Sequence, residues 1–136
     1  MEEAIPEECP KYNIMNEIFT WDEFDTAVDK IATALAGKDI TSVYGIPRGG
    51  LILAICLSHR LGIPLVSNIG EHTLVVDDIS DTGKTLVRHP GHMTATIHVA
   101  HNTSKWPDVY YQVKETDNWV IYPWEHSNGH NYVNLT

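Results

Sequence analysis

Three carboxylates and a run of small residues with accessible amides fall together in the stretch Leu74 to Thr85, LVVDDISDTGKT. Leu74, Val75 and Val76 form an apolar run suited to a strand buried on both faces, as in a parallel sheet covered by helices. Asp77 and Asp78 then stand at its carboxyl end, which in open α/β sheets is where the strand-to-helix loops converge on a ligand. Successive amides through Thr82, Gly83, Lys84 and Thr85 suit a single anion, and the start of a following helix would add partial positive charge. Phosphate is the natural occupant. Three acids within five residues, beside a turn suited to anions, make electrostatic sense when a divalent cation or sugar hydroxyls fill the space between them. The plainer alternative is a solvated acid pair at a strand end, with Asp81 capping the next helix.

Gly83-Lys84-Thr85 also invites comparison with the nucleoside-triphosphate loop. That pattern requires a glycine five residues before Gly83, and Asp78 occupies the place. A carboxylate there would repel the phosphates, so this reading is set aside.

The elements that must hold these residues follow from periodicity. Thr20-Trp21-Asp22-Glu23 fits a capping box, and Phe24, Val28, Ile31, Ala32 and Leu35 then share one helical face, which predicts a helix over Trp21 to Ala36 stopped by Gly37. Ser42 to Ile46 reads as a strand, Pro47 to Gly50 as a turn, Leu51 to Leu61 as a helix closed by Gly62, and Pro64 to Ser67 as a further strand. Together they form a β-α-β unit. Thr73 to Asp77 is the acidic-motif strand, followed by a short helix from about Gly83 to Arg88 and a turn at Pro90-Gly91. Thr94 to Ala100 and Val109 to Lys114 read as later strands. The expected fold class is α/β, a mainly parallel sheet flanked by helices.

At 136 residues the chain can bury one core. Residues 1–15, with two prolines and four glutamates and no steady period, read as a loosely held extension, and 16–136 as a single domain. A formal charge of −9 argues against nucleic acid and against an anionic membrane as partners. An anionic small molecule remains compatible where amides and a cation supply local positive charge. Cys9 and Cys56 lie far apart without metal-ligand spacing and read as reduced thiols, which implies a cytoplasmic setting. No run approaches the ~20 apolar residues of a membrane span.

Val75 to Thr85 matches throughout the signature of the type I phosphoribosyltransferases: two hydrophobic residues, two acids, two variable positions, then Asp-Thr-Gly-x-Thr. The entry Phe19-Thr20-Trp21-Asp22, the turn Arg48-Gly49-Gly50-Leu51 and the late segment Trp119 to Glu125 resemble the bacterial xanthine-guanine branch in order and spacing. The resemblance implies 5-phosphoribosyl 1-pyrophosphate as substrate, with its 5-phosphate in the turn Asp81 to Thr85. Asp77 and Asp78 would address the ribose hydroxyls directly or through Mg2+, Asp78 holding the metal. Arg48 and Gly49 would offer amides to the pyrophosphate. Pro47 departs from the small polar residue of that branch and brings no amide donor. Asp81 would take the proton that the purine loses, Trp119 would stack on the base and Val120 would meet its edge through the backbone. The lysine that contacts the purine oxygen in that branch has its place near His101, with Lys105 a few residues on. A homo-oligomer, dimer or tetramer, is implied as well.

The implied activity is transfer of the phosphoribosyl group to guanine, xanthine or hypoxanthine. One departure favours an alternative. Family members carry a long flexible loop and return strand ahead of the acidic-motif strand, where this chain has only Asn68 to His72. Five residues reach at most about 17 Å, close to the length of one strand. Either they run extended across the sheet or Pro64 to Ser67 pairs in another direction, and no room is left for a lid. A protein that binds the sugar phosphate or a nucleotide without efficient transfer is the second reading.

Overall fold

The computed structural model describes residues 16–125, and the extension expected over residues 1–15 lies outside them. Within the described residues the chain separates into two units, one of residues 25–115 and one of residues 16–24 with 116–125.

The larger unit is built on a four-stranded parallel sheet. Its strands are β2 (Ser42–Gly45), β3 (Thr73–Ser80), β4 (Thr94–Ala100) and β5 (Val109–Lys114), side by side in sequence order. β3 and β4 are the central pair, and the predicted continuous apolar run is fully buried at Leu74, Val75 and Val76. Helix α2 (Leu51–Leu61) has the boundaries its pattern predicts and ends at Gly62, whose φ of 69° allows the left-handed close. It packs on β2 and β3. A side chain at Gly45 would stand 2.8 Å from the Ala54 Cβ, so a glycine on the strand is what lets the helix press this close.

Helix α1 (Trp21–Leu35) begins with the predicted capping box. The Thr20 amide donates to Glu23 Oε1 at 2.8 Å and the Glu23 amide to Thr20 Oγ1 at 3.1 Å. Phe24, Val28, Ile31 and Leu35 are buried as their spacing requires. An ion pair between Asp29 and Arg60 links α1 to α2.

Three expectations need correction. Pro64 to Ser67 is not a strand; only Leu65 makes a parallel bridge, to Val43. Leu74 of β3 lies beside the same Val43. The chain therefore needs only to pass from one flank of β2 to the other, about 10 Å at ordinary strand spacing, and the His72 carbonyl accepts the Thr41 amide at 2.9 Å on the way. A short connection suffices because the edge segment never extends. Second, β3 continues past Asp77 to Ser80, since β4 is long enough to pair Ile79 with His98 and Ser80 with Val99. Third, the helix expected from Gly83 to Arg88 is a single 3-10 turn, Leu86–Arg88. Pro90 disfavours helical backbone in the residue before it, and His89 leaves the helix with φ −124° and ψ 57°.

In the smaller unit, β1 (Asn16–Ile18) and β6 (Trp119–Ile121) form a parallel pair. Glu17 ties down the approach to β6, accepting the Asn118 side-chain amide at 2.7 Å. Phe19, Trp21, Phe24, Tyr122 and Trp124 make a connected aromatic cluster, with Tyr122 and Trp124 stacked at 5.1 Å.

Candidate active site

The C-terminal half of β3 and the turn beyond it enclose a pocket of about 230 Å³, lined by residues 77–83 with Thr85 and Leu86. Asp77 and Asp78 are still inside the strand here, because β3 runs to Ser80, beyond the end predicted at Asp77. Asp77 is level with Thr96 of β4. Its carboxylate accepts the Asp78 amide at 2.9 Å, and the Asp78 carboxylate accepts the Ile79 amide at 2.8 Å.

Burial pushes the Asp77 carboxyl up to about 9, and the Asp78 charge and side-chain hydrogen bond beside it push the same way. Asp78 is also raised, first by burial. Two carboxylates this close cannot both lose their protons without a cation or hydroxyl donors to answer them.

The turn Pro47 to Gly50 comes down onto this pair, with a cis peptide between Pro47 and Arg48. A side chain at Gly49 would collide with the Asp78 carboxylate, its Cβ 2.7 Å from Cγ, and one at Gly50 would strike β3 backbone. The two glycines are what allow the backbone of one loop to lie against the acids of another strand. Arg48 is exposed.

Asp81 and Thr82 are exposed members of the pocket wall, and Gly83 is buried in it with φ 92°. Lys84 is exposed and outside the lining, its amide directed at Thr82 Oγ1 at 3.3 Å. The helix dipole anticipated behind the turn is missing, because only the 3-10 turn follows. His101 is exposed at the end of β4, its amide bonded to the Lys114 carbonyl at 3.2 Å. Trp119 and Val120 belong to the smaller unit, Trp119 about half exposed and Val120 buried.

Sequence reasoning did not single out Ser80, Thr103 and Ser104. The Ser80 hydroxyl donates to the Lys105 carbonyl at 2.8 Å and meets Thr103 Oγ1 at 3.1 Å. Ser104 bonds the Thr82 carbonyl twice, through its amide at 3.0 Å and its hydroxyl at 2.7 Å. The available signal was the polar run Asn102-Thr103-Ser104-Lys105 between two strands, which by composition alone reads as an ordinary loop.

Among the described residues no cluster of three or more histidine, cysteine or carboxylate side chains is arranged to hold a metal ion. Mg2+ seldom needs one, since it commonly uses one or two carboxylates and completes its shell with water and substrate oxygens. The half-buried, mutually repelling pair Asp77 and Asp78 fits that role. No described helix is long and apolar enough to cross a membrane.

No family model matches the chain. A xanthine-guanine phosphoribosyltransferase from Cereibacter sphaeroides is 28% identical over 78% of this chain and 84% of its own length. Among solved structures, the Helicobacter pylori xanthine-guanine-hypoxanthine phosphoribosyltransferase shares the fold at a TM-score of 0.69 and 15% identity, covering 88% of this chain and 99% of its own. The purine phosphoribosyltransferase of Pyrococcus horikoshii superposes with a TM-score of 0.72 at 30% identity, over 82% of this chain and 95% of its own. With that identity spanning nearly all of a solved relative, and with the same α/β fold, the chain belongs to the type I phosphoribosyltransferase family.

Proposed function

We propose that the protein transfers the 5-phosphoribosyl group of phosphoribosyl pyrophosphate to a 6-oxopurine (guanine, xanthine or hypoxanthine), giving a nucleoside monophosphate and pyrophosphate. The observation that carries this reading is the convergence on one pocket of the acid pair and the turn Asp81 to Thr85, with the Arg48-Gly49 turn against Asp78. The names of the purine-transferring relatives support the class of base.

Asp77 and Asp78 accept hydrogen bonds from the ribose hydroxyls, and the amides and hydroxyls of Thr82, Gly83 and Thr85 take the 5-phosphate, with Lys84 adding charge at the rim. The amides of Arg48 and Gly49 face the pyrophosphate. Asp78 is the residue that would hold Mg2+, and the chemistry the ion supplies when bound is neutralisation of charge on the pyrophosphate. The bond from the anomeric carbon to pyrophosphate breaks with its electron pair leaving on oxygen, and the purine nitrogen forms the new bond to carbon. The proton lost by that nitrogen goes to Asp81, whose exposed position on the pocket wall leaves it open to an incoming base. The family resemblance assigns the purine face to Trp119 and its edge to Val120, and assigns the purine oxygen to His101, which stands near the place of that branch's lysine.

The test is incubation with Mg2+, phosphoribosyl pyrophosphate and each base, following nucleotide and pyrophosphate. Asp81→Asn is expected to cut turnover by about 10²-fold or more, the usual worth of a positioned base, while affinity for phosphoribosyl pyrophosphate stays near the wild-type value. Equal loss of both would assign Asp81 a structural role. The short connection before β3 favours one competing reading, a binding protein without efficient transfer. Tight binding with no nucleotide from any base would establish that instead.

A further inference from the structure

The phosphate turn of this chain lacks the α-helix whose first amides ordinarily fix such a turn, since only Leu86–Arg88 follows as a 3-10 turn. Something else must hold its backbone. Residues 103–105, in the connection from β4 to β5, lie directly on it. A side chain at Gly83 would stand 2.5 Å from the Lys105 nitrogen and 2.6 Å from Ser104 Oγ, so the two segments meet backbone to backbone.

The segment is anchored from below. The buried Ser80 hydroxyl bonds the Lys105 carbonyl at 2.8 Å, and the Thr103 amide donates to the Ala100 carbonyl at 3.0 Å. From this seat Ser104 reaches the Thr82 carbonyl with both of its donors, at 3.0 and 2.7 Å. The Thr82 carbonyl and the Gly83 amide share one planar trans peptide and point in opposite directions. Pinning the carbonyl toward Ser104 therefore sends the Gly83 N–H the other way, and Ser104 is not among the residues that line the pocket. A carbonyl free to rotate would turn its partial negative charge toward a bound phosphate.

We infer that Ser104 is a positioning residue for the phosphate-binding turn, replacing the missing helix by holding the Thr82 peptide in the orientation that presents its amide to the 5-phosphate. This rests on the reading of the pocket as a phosphoribosyl site. Ser104 touches no substrate in this scheme; it acts through Thr82 and Gly83.

Calorimetry separates the two ends of the substrate, with ribose 5-phosphate as probe of the turn and magnesium pyrophosphate as probe of the Arg48 loop. Ser104→Ala is expected to raise the Kd for ribose 5-phosphate, and the KM for phosphoribosyl pyrophosphate, by about five- to tenfold, the effect of losing one ordinary hydrogen bond. Pyrophosphate affinity and kcat should not change, and Ser104→Thr, which restores the hydroxyl, should recover the wild-type Kd. Unchanged ribose 5-phosphate binding in Ser104→Ala, equal losses for both probes, or no recovery in Ser104→Thr would each overturn the inference alone. Wild-type protein that binds neither ribose 5-phosphate nor phosphoribosyl pyrophosphate would overturn the site reading beneath it.

Discussion

At the scale of single residues, the acid pair sets a conflict between folding and function. Asp77 is pushed up to about 9 by burial and by Asp78, against an ordinary carboxyl value of 3.8. Between those values the folded protein keeps a proton that the unfolded chain has lost. Stability from this group is thus fully present below the lower value and is lost as pH rises toward the upper one. Without Mg2+ or substrate, the melting temperature of the wild type is expected to fall between about pH 5 and about pH 8, and Asp77→Asn, which has no proton to lose, to fall less. The gap between the two should widen with pH in favour of the variant; parallel curves would mean that Asp77 is not strained by its surroundings. The pair and the turn were legible in LVVDDISDTGKT, because adjacent acids next to closely spaced amides carry their electrostatic problem on the sequence itself. Ser80, Thr103 and Ser104 were not, because their partners are supplied by the approach of a distant loop to Gly83.

At the scale of elements, boundaries were readable where a local device fixes them. The Thr20–Glu23 capping box starts α1 and the left-handed Gly62 ends α2, both at the predicted residues. Such a device has a measurable worth. Thr20→Ala should cost about 1 kcal/mol, the usual contribution of a side-chain cap, seen as a lower urea midpoint at constant slope. An unchanged midpoint would mean that packing of Phe24 and Val28 sets the helix start without the cap. Misread boundaries were those decided by a neighbour. β3 runs on to Ser80 because β4 offers pairing partners as far as Val99, and Pro64 to Ser67 falls short of a strand because only Leu65 reaches Val43. Neither fact is encoded near the residue concerned. The helix expected from Gly83 shrinks to the turn Leu86–Arg88, and Pro90 keeps His89 out of helical backbone beyond it.

At the scale of the whole molecule, the connection ahead of β3 has consequences for what the pocket can exclude. It passes from Leu65 on one flank of β2 to Thr73 on the other with nothing longer between. A chain this short can turn the end of a strand and do no more, so no segment there is available to close over the reacting sugar. The pocket in turn is formed largely by exposed or half-buried residues, Asp81 and Thr82 among them. A site open to solvent loses part of the electrostatic gain that closure gives, and water competes for the activated anomeric carbon. Water attack forms a carbon–oxygen bond, expels pyrophosphate and leaves ribose 5-phosphate in place of the nucleotide. With Mg2+ and a purine at limiting concentration, pyrophosphate release is therefore expected to exceed nucleotide formation, with the excess matched by ribose 5-phosphate. Raising the base should close the gap, since it competes for the same carbon. A strict one-to-one ratio at every base concentration would require water to be kept out by means other than this connection, such as a second copy of the chain. That result would redirect attention to the oligomer as the unit that completes the site.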